Sequence, residues 1–388
     1  MKKSHILVGV SIAAFLGPFT QTVYTPNLPE LQQVFQVDTV RINLTISLFT
    51  AILALSNFII GPIADRRGRR ITLLVGLCVY ALGSLLCLLA PGYAPFLAGR
   101  ALQAAGISTG ALIAAAVIGD LYEGNERGRA MGVYQTLVFL GPVLGPVAGG
   151  LIASHLSWRW AFGLLAACGL ATLLYNAAQL RETRPAGAAP PRFSLATLRA
   201  ILADRAAQSL LLIGFSQFFG YYVFLVFLPG LLATRFEIPV AERGFYFIPL
   251  TAGILLGIHL GGRLQARLAA ARIVGWCSAG CGFAALLLFL CLTRNWLDLP
   301  ALLLFLLLYG VLLGVSLPVQ TAMLVGLFQQ QRATAVGLYN FCRFAGAAAG
   351  PLAGGWIEMA AGTNAVFLGL AGLLSVAAWI VHVRLRPV

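Results

Sequence analysis

Acidic residues are scarce in this chain, since only 12 of its 388 residues are aspartate or glutamate. Charged residues of both signs make up 10% of the chain, whereas soluble globular domains carry about 25%. Hydrophobic residues make up 60%. A composition so poor in charge excludes an ordinary soluble domain and indicates a protein embedded in a lipid bilayer.

Histidine is also rare, and the four histidines lie far apart in the chain: His5, His155, His259 and His382. They form no Ser-His-Asp set and no metal-binding spacing, and no stretch resembles a nucleotide-binding loop. All seven cysteines lie in apolar runs, which favours packing residues over a disulfide framework or a metal site. The sequence therefore predicts neither an enzyme nor a bound cofactor.

Apolar runs recur along the whole chain, and each is near the roughly 20 residues that a helix needs to span a bilayer. The runs do not alternate between polar and apolar positions, which excludes a β-barrel. The basic start at Met1–Lys3 could mimic a signal peptide, but no small-residue cleavage site follows, so the first run is interpreted as a span. The sequence predicts an all-α polytopic membrane protein with transmembrane helices near 5–26, 42–63, 72–90, 95–119, 129–153, 159–180, 206–231, 243–262, 273–293, 299–326, 333–357 and 364–384.

A polar, proline-rich and basic segment at residues 181–205 contrasts with the short connections elsewhere. It divides the chain into a predicted N-terminal six-helix bundle, residues 1–180, and a C-terminal six-helix bundle, residues 206–388. Most of the 26 lysine and arginine residues fall on the same side of the spans as this linker. By the positive-inside rule both termini are expected in the cytoplasm, and the basic excess reflects topology rather than a nucleic-acid partner.

Three motifs occupy particular places in this pattern. The first is the loop Gly61–Arg70, Gly-Pro-Ile-Ala-Asp-Arg-Arg-Gly-Arg-Arg, which has a degraded counterpart at Gly261–Arg267 and so indicates an internal duplication. The second places Arg100, Gln103 and Gly106 on one face of span 4. The third is the Gly- and Pro-rich run Gly141–Gly150 in span 5, where small residues allow close helix packing.

On these motifs the chain resembles the major facilitator superfamily, in its twelve-span drug:H⁺ antiporter group and nearest to the bicyclomycin, chloramphenicol and florfenicol efflux proteins. The resemblance covers the whole chain. It implies the fold of that superfamily, with 12 transmembrane helices in two pseudo-symmetric halves, a small-molecule substrate, and a monomer in the bacterial cytoplasmic (inner) membrane. It also implies a conformational latch at Gly61, Asp65, Arg69 and Asp120, and an exporter signature at Gly141, Pro142, Gly145, Pro146 and Gly149.

The chain departs from these relatives in span 1, where their membrane-embedded acid is replaced by Thr22. That acid is the usual proton carrier and the attractor for cationic drugs. Its loss leaves Arg100 without its usual neighbour. Glu30 could reach back to Arg100 or could instead pair with Arg41.

A second arginine, Arg343, falls near the middle of span 11, with Tyr339 and Asn340 beside it on the helix surface. Glu358 lies about 22 Å further along the helix, too far for a direct pair. Because charge in hydrocarbon is costly, an ionisable residue there indicates function. The two arginines therefore predict a site for an anionic solute, with further candidates at Gln21, Thr22, Tyr24, Gln103, Gln217, Tyr221, Tyr246, Gln320, Tyr339 and Asn340.

Alternatives remain open for several of these residues. Amides and tyrosines within spans also serve as links between helices. His259 is either a packing residue or a proton carrier. Two functions compete: export of an anionic, carboxylate-rich metabolite such as a siderophore, and proton-coupled antiport of neutral or amphipathic drugs. Both are efflux, driven by an ion gradient or the membrane potential.

Overall fold

The computed structural model describes residues 3–184, 195–265, 267–329 and 331–384. Within these ranges the regular structure is helical and contains no strand. The helices before the linker are α1 (Lys3–Thr22), α2 (Leu28–Phe35), α3 (Thr39–Arg67), α4 (Arg69–Leu89), α5 (Tyr93–Leu121), α6 (Gly124–His155) and α7 (Arg159–Gln179). Those after it are α8 (Leu195–Ala203), α9 (Arg205–Arg235), α10 (Val240–Arg243), α11 (Ile248–Leu264), α12 (Ala270–Thr293), α13 (Leu299–Leu327), α14 (Arg332–Ala361) and α15 (Thr363–Arg384).

The all-α membrane fold predicted from the sequence is confirmed. In the described residues, eleven segments are long and apolar enough to cross a membrane. The helix α14 is equally long at 30 residues but falls outside that set. Its glycines, with Asn340 and the charged Arg343 near its middle, make it less apolar than the others.

The described part of the chain divides into two compact units. Unit 1 comprises Met1–Val37, Leu48–Arg192 and Ile238–Phe245, and unit 2 comprises Asp38–Ser47, Phe193–Glu237 and Tyr246–Val388. Each unit therefore includes one short segment from the other half of the sequence. The start of α3 belongs to unit 2, where the Asn43 amide donates to the carbonyl oxygen of Pro351 at 3.0 Å.

In unit 1 the pairing of α4 with α5 depends on glycine. A Cβ at Gly83 would lie 2.6 Å from the backbone nitrogen of Gln103, and a Cβ at Gly76 would lie 2.7 Å from the carbonyl oxygen of Gly106. Such spacing lets two helix backbones approach closely. It brings the polar face of α5, with Arg100 and Gln103, against α4.

An aromatic cluster lies at one end of unit 1. Tyr24, Phe35, Phe96, Trp158 and Phe162 meet there with ring centroids between 5.1 and 6.4 Å apart. Three of these rings lie on α2, α5 and α7, while Tyr24 follows α1 and Trp158 precedes α7. The cluster fixes the position of the Tyr24 ring, which lies against Arg100.

Candidate functional site

The side chain of Arg100 is fully buried, with 0% of its surface exposed. One terminal nitrogen donates to Oε1 of Gln103 at 2.6 Å. The guanidinium carbon lies 4.5 Å from the ring centroid of Tyr24 and 4.3 Å from that of Phe49. The rings attract the cation through their negative faces, so the guanidinium is held in place without a carboxylate within salt-bridge distance among the described residues.

Two donors of Arg100 stay unsatisfied. Nε and Nη2 are buried and have no hydrogen-bond partner in the described part of the chain. Gln103 is fully engaged, because its Nε2 donates to Ser84 at 2.8 Å. Leaving charged donors buried and unpaired costs several kcal/mol, and an anion supplies the acceptors that these donors require.

Thr22 packs against α6 at the position where the resembled proteins carry an acid. Its hydroxyl lies within hydrogen-bond distance of the carbonyl oxygens of Pro18, at 3.0 Å, and Gly141, at 3.3 Å. A Cβ at Gly145 would collide with this hydroxyl, and a Cβ at Gly149 would collide with the carbonyl oxygen of Val23. The exporter-like motif of α6 is therefore the surface on which α1 rests, and Thr22 is part of that contact.

The expectation that Glu30 pairs with Arg100 or Arg41 is wrong. Glu30 accepts from Arg243 at 2.5 Å, and Arg41 pairs with Asp38 on the surface. Arg243 is 7% exposed and also donates to the carbonyl oxygens of Ile238 and Pro26. The Arg243 side chain is buried away from water, so its charge needs a partner in the protein. The carboxylate of Glu30 is that partner.

The predicted latch residues do come together in unit 1. Arg69 lies 2.5 Å from Oδ1 of Asp65 and 3.5 Å from Oδ2 of Asp120, and all three side chains are largely buried. Gly61 is different, because a Cβ there would meet no described atom within 4 Å. Ion pairs therefore account for the charged members of this motif, whereas no close contact with a described atom accounts for Gly61.

The start of the linker is docked onto the cluster of Asp65, Arg69 and Asp120, a contact that the sequence did not predict. Glu182 accepts from the backbone N–H groups of Arg69 at 2.8 Å and Arg70 at 3.2 Å, the first residues of α4. Thr183 donates to Asp120 at 3.1 Å, and Arg184 donates to the carbonyl oxygen of Arg66 at 2.8 Å. The only sequence signal was an acid in a basic run at the end of span 6.

Glu182 acts as a charged cap on α4, and its pKa reports this. Partial burial raises the pKa, but hydrogen bonds from the N–H groups of Arg69, Arg184, Arg70 and Thr183 outweigh it, so the pKa lies below its usual value of 4.5. A carboxyl group with a lowered folded-state pKa stabilises the fold above its unfolded pKa. That stabilisation is lost as the pH falls through the folded value.

We expect Glu182→Gln to lower thermal stability by about 0.5–1 kcal/mol at neutral pH, the weaker end of the range for a helix cap because Glu182 is exposed. The difference from wild type should shrink as the pH falls below 4.5. Melting curves in detergent across this range measure it. Glu123→Gln is the matched control, because Glu123 precedes α6 without a side-chain cap bond. Equal losses in both variants would contradict the capping role.

Arg343 in unit 2 is held much as Arg100 is held in unit 1. Its guanidinium carbon lies 3.9 Å from the ring centroid of Phe218 and 5.4 Å from that of Tyr339. One terminal nitrogen donates to Asn340 at 3.2 Å, and the buried Nε has no partner among the described residues. The sequence put Tyr339 and Arg343 on one helix face with Asn340 adjacent, and in the structure Arg343 contacts both.

A network of polar side chains begins at Tyr339, next to Arg343. The Tyr339 hydroxyl donates to Oε1 of Gln320 at 2.9 Å, and Nε2 of Gln320 donates to Oε1 of Gln217 at 2.8 Å. Ser278 and Ser316 complete the network, and all five side chains are fully buried. The hydrogen bonds of this network join α9, α12, α13 and α14, so its amides link helices. They also hold Tyr339, whose ring contacts Arg343.

The remaining predicted site residues lie on α1, on α9, on α11 and in the segment before α11. Gln21 is buried on α1. The Tyr221 ring lies tilted beside that of Phe218 and edge-on to that of Tyr222, and Tyr246 is half-buried in the turn that precedes α11. His259 is exposed, and its Nδ1 lies 2.8 Å from the carbonyl oxygen of Leu255 on its own helix.

Comparison with known proteins identifies a matching family and related transporters. The family model described as Major Facilitator Superfamily matches residues 10–294 and 210–388. Multidrug resistance protein MdtL of Escherichia coli is 28% identical over 66% of this chain and 65% of its own length. Citrate exporter 1 of Aspergillus niger is 31% identical over 47% of this chain and 35% of its own length.

The same fold occurs in a solved structure. A bacterial homologue of the human lysosomal transporter Spinster, in an inward-facing and unoccupied conformation, superposes with a TM-score of 0.82 at 19% identity, over 99% of this chain and 98% of that one. In sequence, the chain spans 62% and 61% of the length of two bacterial relatives, an uncharacterised transporter of Rickettsia bellii and one of Bacillus subtilis.

Proposed function

The chain belongs to the Major Facilitator Superfamily, and on this premise we propose that it is a secondary transporter that exports a small organic anion. The observation that carries the proposal is that each unit holds a guanidinium against aromatic rings, with donors left unpaired and no carboxylate in salt-bridge distance within the described residues. Carboxylate groups match such donors, because guanidinium groups bind them with two parallel hydrogen bonds.

The geometry around each arginine favours an anion over a cation. Arg100 is bonded to Gln103 and Arg343 to Asn340, and in both cases the amide lies three residues away on the same helix. Each amide occupies one edge of its guanidinium and leaves another edge to a ligand. A cationic drug would be repelled at both places. A carboxylate-bearing metabolite, for which a siderophore is one example, fits them.

The side chain and hydrogen bonds of Thr22 support the same proposal. A threonine cannot carry a proton through the membrane, and its hydroxyl is occupied by backbone carbonyl oxygens. An exporter of anions needs no such carrier, since an inside-negative potential contributes about 2.3 kcal/mol per charge and 100 mV to anion export. The name of the citrate exporter is consistent with this substrate class.

The direction of transport rests on topology. By the positive-inside rule the basic residues favour both termini in the cytoplasm, and we propose the cytoplasmic (inner) membrane of a bacterium as the location. The contact of α1 with the Gly141–Gly149 face of α6 is built from the motif that the resembled exporters share. We therefore assign movement from the cytoplasm to the outside.

A second function, proton-coupled export of neutral or amphipathic drugs, is favoured by MdtL, which matches a larger part of this chain than the citrate exporter does. In that case the proton carrier is a group other than Thr22, and His259 is the candidate. The first function requires that organic anions bind, whereas the second requires that neutral or amphipathic drugs bind.

Everted membrane vesicles distinguish them. Their interior is positive when energised, so they should accumulate di- and tricarboxylates, driven by a potassium-valinomycin potential in the absence of a pH gradient. The same carboxylates should raise the melting temperature of the purified protein, whereas chloramphenicol and cationic dyes should not. Vesicles without the protein are the control. Accumulation of drugs alone, and only with a pH gradient, would establish the second function instead.

A further inference from the structure

A long groove runs between α12 and α15 on the surface of unit 2. Its volume is about 610 Å³. Its walls are mainly apolar, and the bulkiest wall residues are Trp276, Phe283 and Trp379, which are 63%, 61% and 66% exposed. Arg272 and His382 lie in the same lining, in the first turn of α12 and the last turn of α15.

The groove is therefore basic at one end and apolar along the rest of its length. One end carries two basic side chains, and its lining includes no acidic residue. From there the apolar wall follows α12 to Leu286, a distance of about 21 Å at the rise of an α-helix. The hydrocarbon of one leaflet is about 15 Å deep. The groove thus has the length of an acyl chain and carries basic residues where a lipid headgroup lies.

We propose that this groove binds an anionic phospholipid, with one acyl chain along α12 and α15 and the phosphate at Arg272 and His382. A guanidinium binds phosphate oxygens with two parallel hydrogen bonds. Basic pockets between transmembrane helices are known to select anionic headgroups. Tryptophans near one end of spans mark the level of the interface, which agrees with the placement of the headgroup beside Trp276 and Trp379.

A helix of a second copy, about 10–12 Å across with its side chains, is far wider than an acyl chain. A narrow hydrocarbon chain fits because small residues floor the groove. A Cβ at Gly275 would meet only Cγ1 of Val381, at 3.9 Å, and one at Gly282 would approach Oγ of Ser375 at 3.0 Å.

Tryptophan fluorescence tests the proposal. Of the six tryptophans, one variant keeps Trp276 and Trp379, with the other four replaced by phenylalanine. A matched variant keeps Trp356, which is 63% exposed and lies on α14, outside the groove lining. Both are placed in phosphatidylcholine bilayers that contain either brominated phosphatidylglycerol or brominated phosphatidylcholine at the same low mole fraction.

The groove tryptophans should be quenched more by the anionic lipid, as if it were enriched about fivefold beside them, while Trp356 should respond alike to both lipids. Arg272→Gln with His382→Gln should remove the excess. Gly275→Leu, which fills the groove at a position with room, should also remove it. Equal quenching of the groove tryptophans by the two lipids, or an excess that survives both variants, would overturn the proposal. So would weak quenching by either lipid together with a dimer in native mass spectrometry.

Discussion

Arg343→Gln is expected to reduce export of carboxylates strongly while the protein stays folded. Glutamine keeps a polar side chain beside Asn340 but removes the charge that lies over Phe218. A hydrogen bond to a charged group contributes about 1.5–3 kcal/mol, so transport efficiency should fall by about 10- to 100-fold or more. The measurement is carboxylate uptake into everted vesicles at matched amounts of protein.

Stability separates a functional from a structural role for Arg343. Removing a buried charge that lacks a carboxylate partner should leave the melting temperature unchanged or raise it, whereas loss of a structural link would lower it. Arg343→Lys keeps the charge but loses the planar fork, and should transport between the wild type and Arg343→Gln. Arg294→Gln, at an exposed arginine after α12, is the control and should have no effect. Normal transport by Arg343→Gln would refute the anion site.

Gly149→Ala is expected to destabilise the protein strongly. The added methyl group would collide with the carbonyl oxygen of Val23. That atom belongs to the backbone and cannot rotate away, so α1 and α6 must separate and the hydroxyl of Thr22 would lose its contact with Gly141. Overpacking of this kind costs about 1–3 kcal/mol, occasionally more. A lower melting temperature in detergent and a lower yield of folded protein should result.

The matched control lies on the same helix. At Gly132 a Cβ would meet no described atom within 4 Å, so Gly132→Ala should be neutral or stabilising, by about 0.5–1 kcal/mol, through helix propensity. If Gly149→Ala melted at or above the temperature of Gly132→Ala, the close contact of α1 with α6 would be disproved. The role of the motif as a packing face would fall with it.

Local patterns in the sequence predicted the features that depend on neighbouring residues. The apolar runs predicted the spans, because a helix in lipid must be apolar over a continuous length. Asp65 and Arg69 are four positions apart, across the short break between α3 and α4, and the structure joins them. Helix periodicity placed Asn340 beside Arg343. These inferences need only residues that are close together in the chain.

Pairings between distant residues could not be predicted in this way. Glu30 and Arg243 are 213 positions apart, and the sequence offered Arg100 and Arg41 as nearer choices for Glu30. Glu182 looked like one acid in a basic linker, yet it caps α4. Gln217 and Gln320 looked like residues of a binding cavity, yet they face each other between helices.

By itself the sequence determined that this chain is an all-α membrane protein of the major facilitator superfamily with two arginines inside its spans. Hydropathy and motif spacing are local properties, and each helix in lipid satisfies its own backbone hydrogen bonds. The tertiary structure alone decided what surrounds each polar group. Arg100 meets Tyr24 and Phe49, Thr22 meets Gly141, and Arg243 meets Glu30, because these partners depend on which helix faces touch and not on distance along the chain.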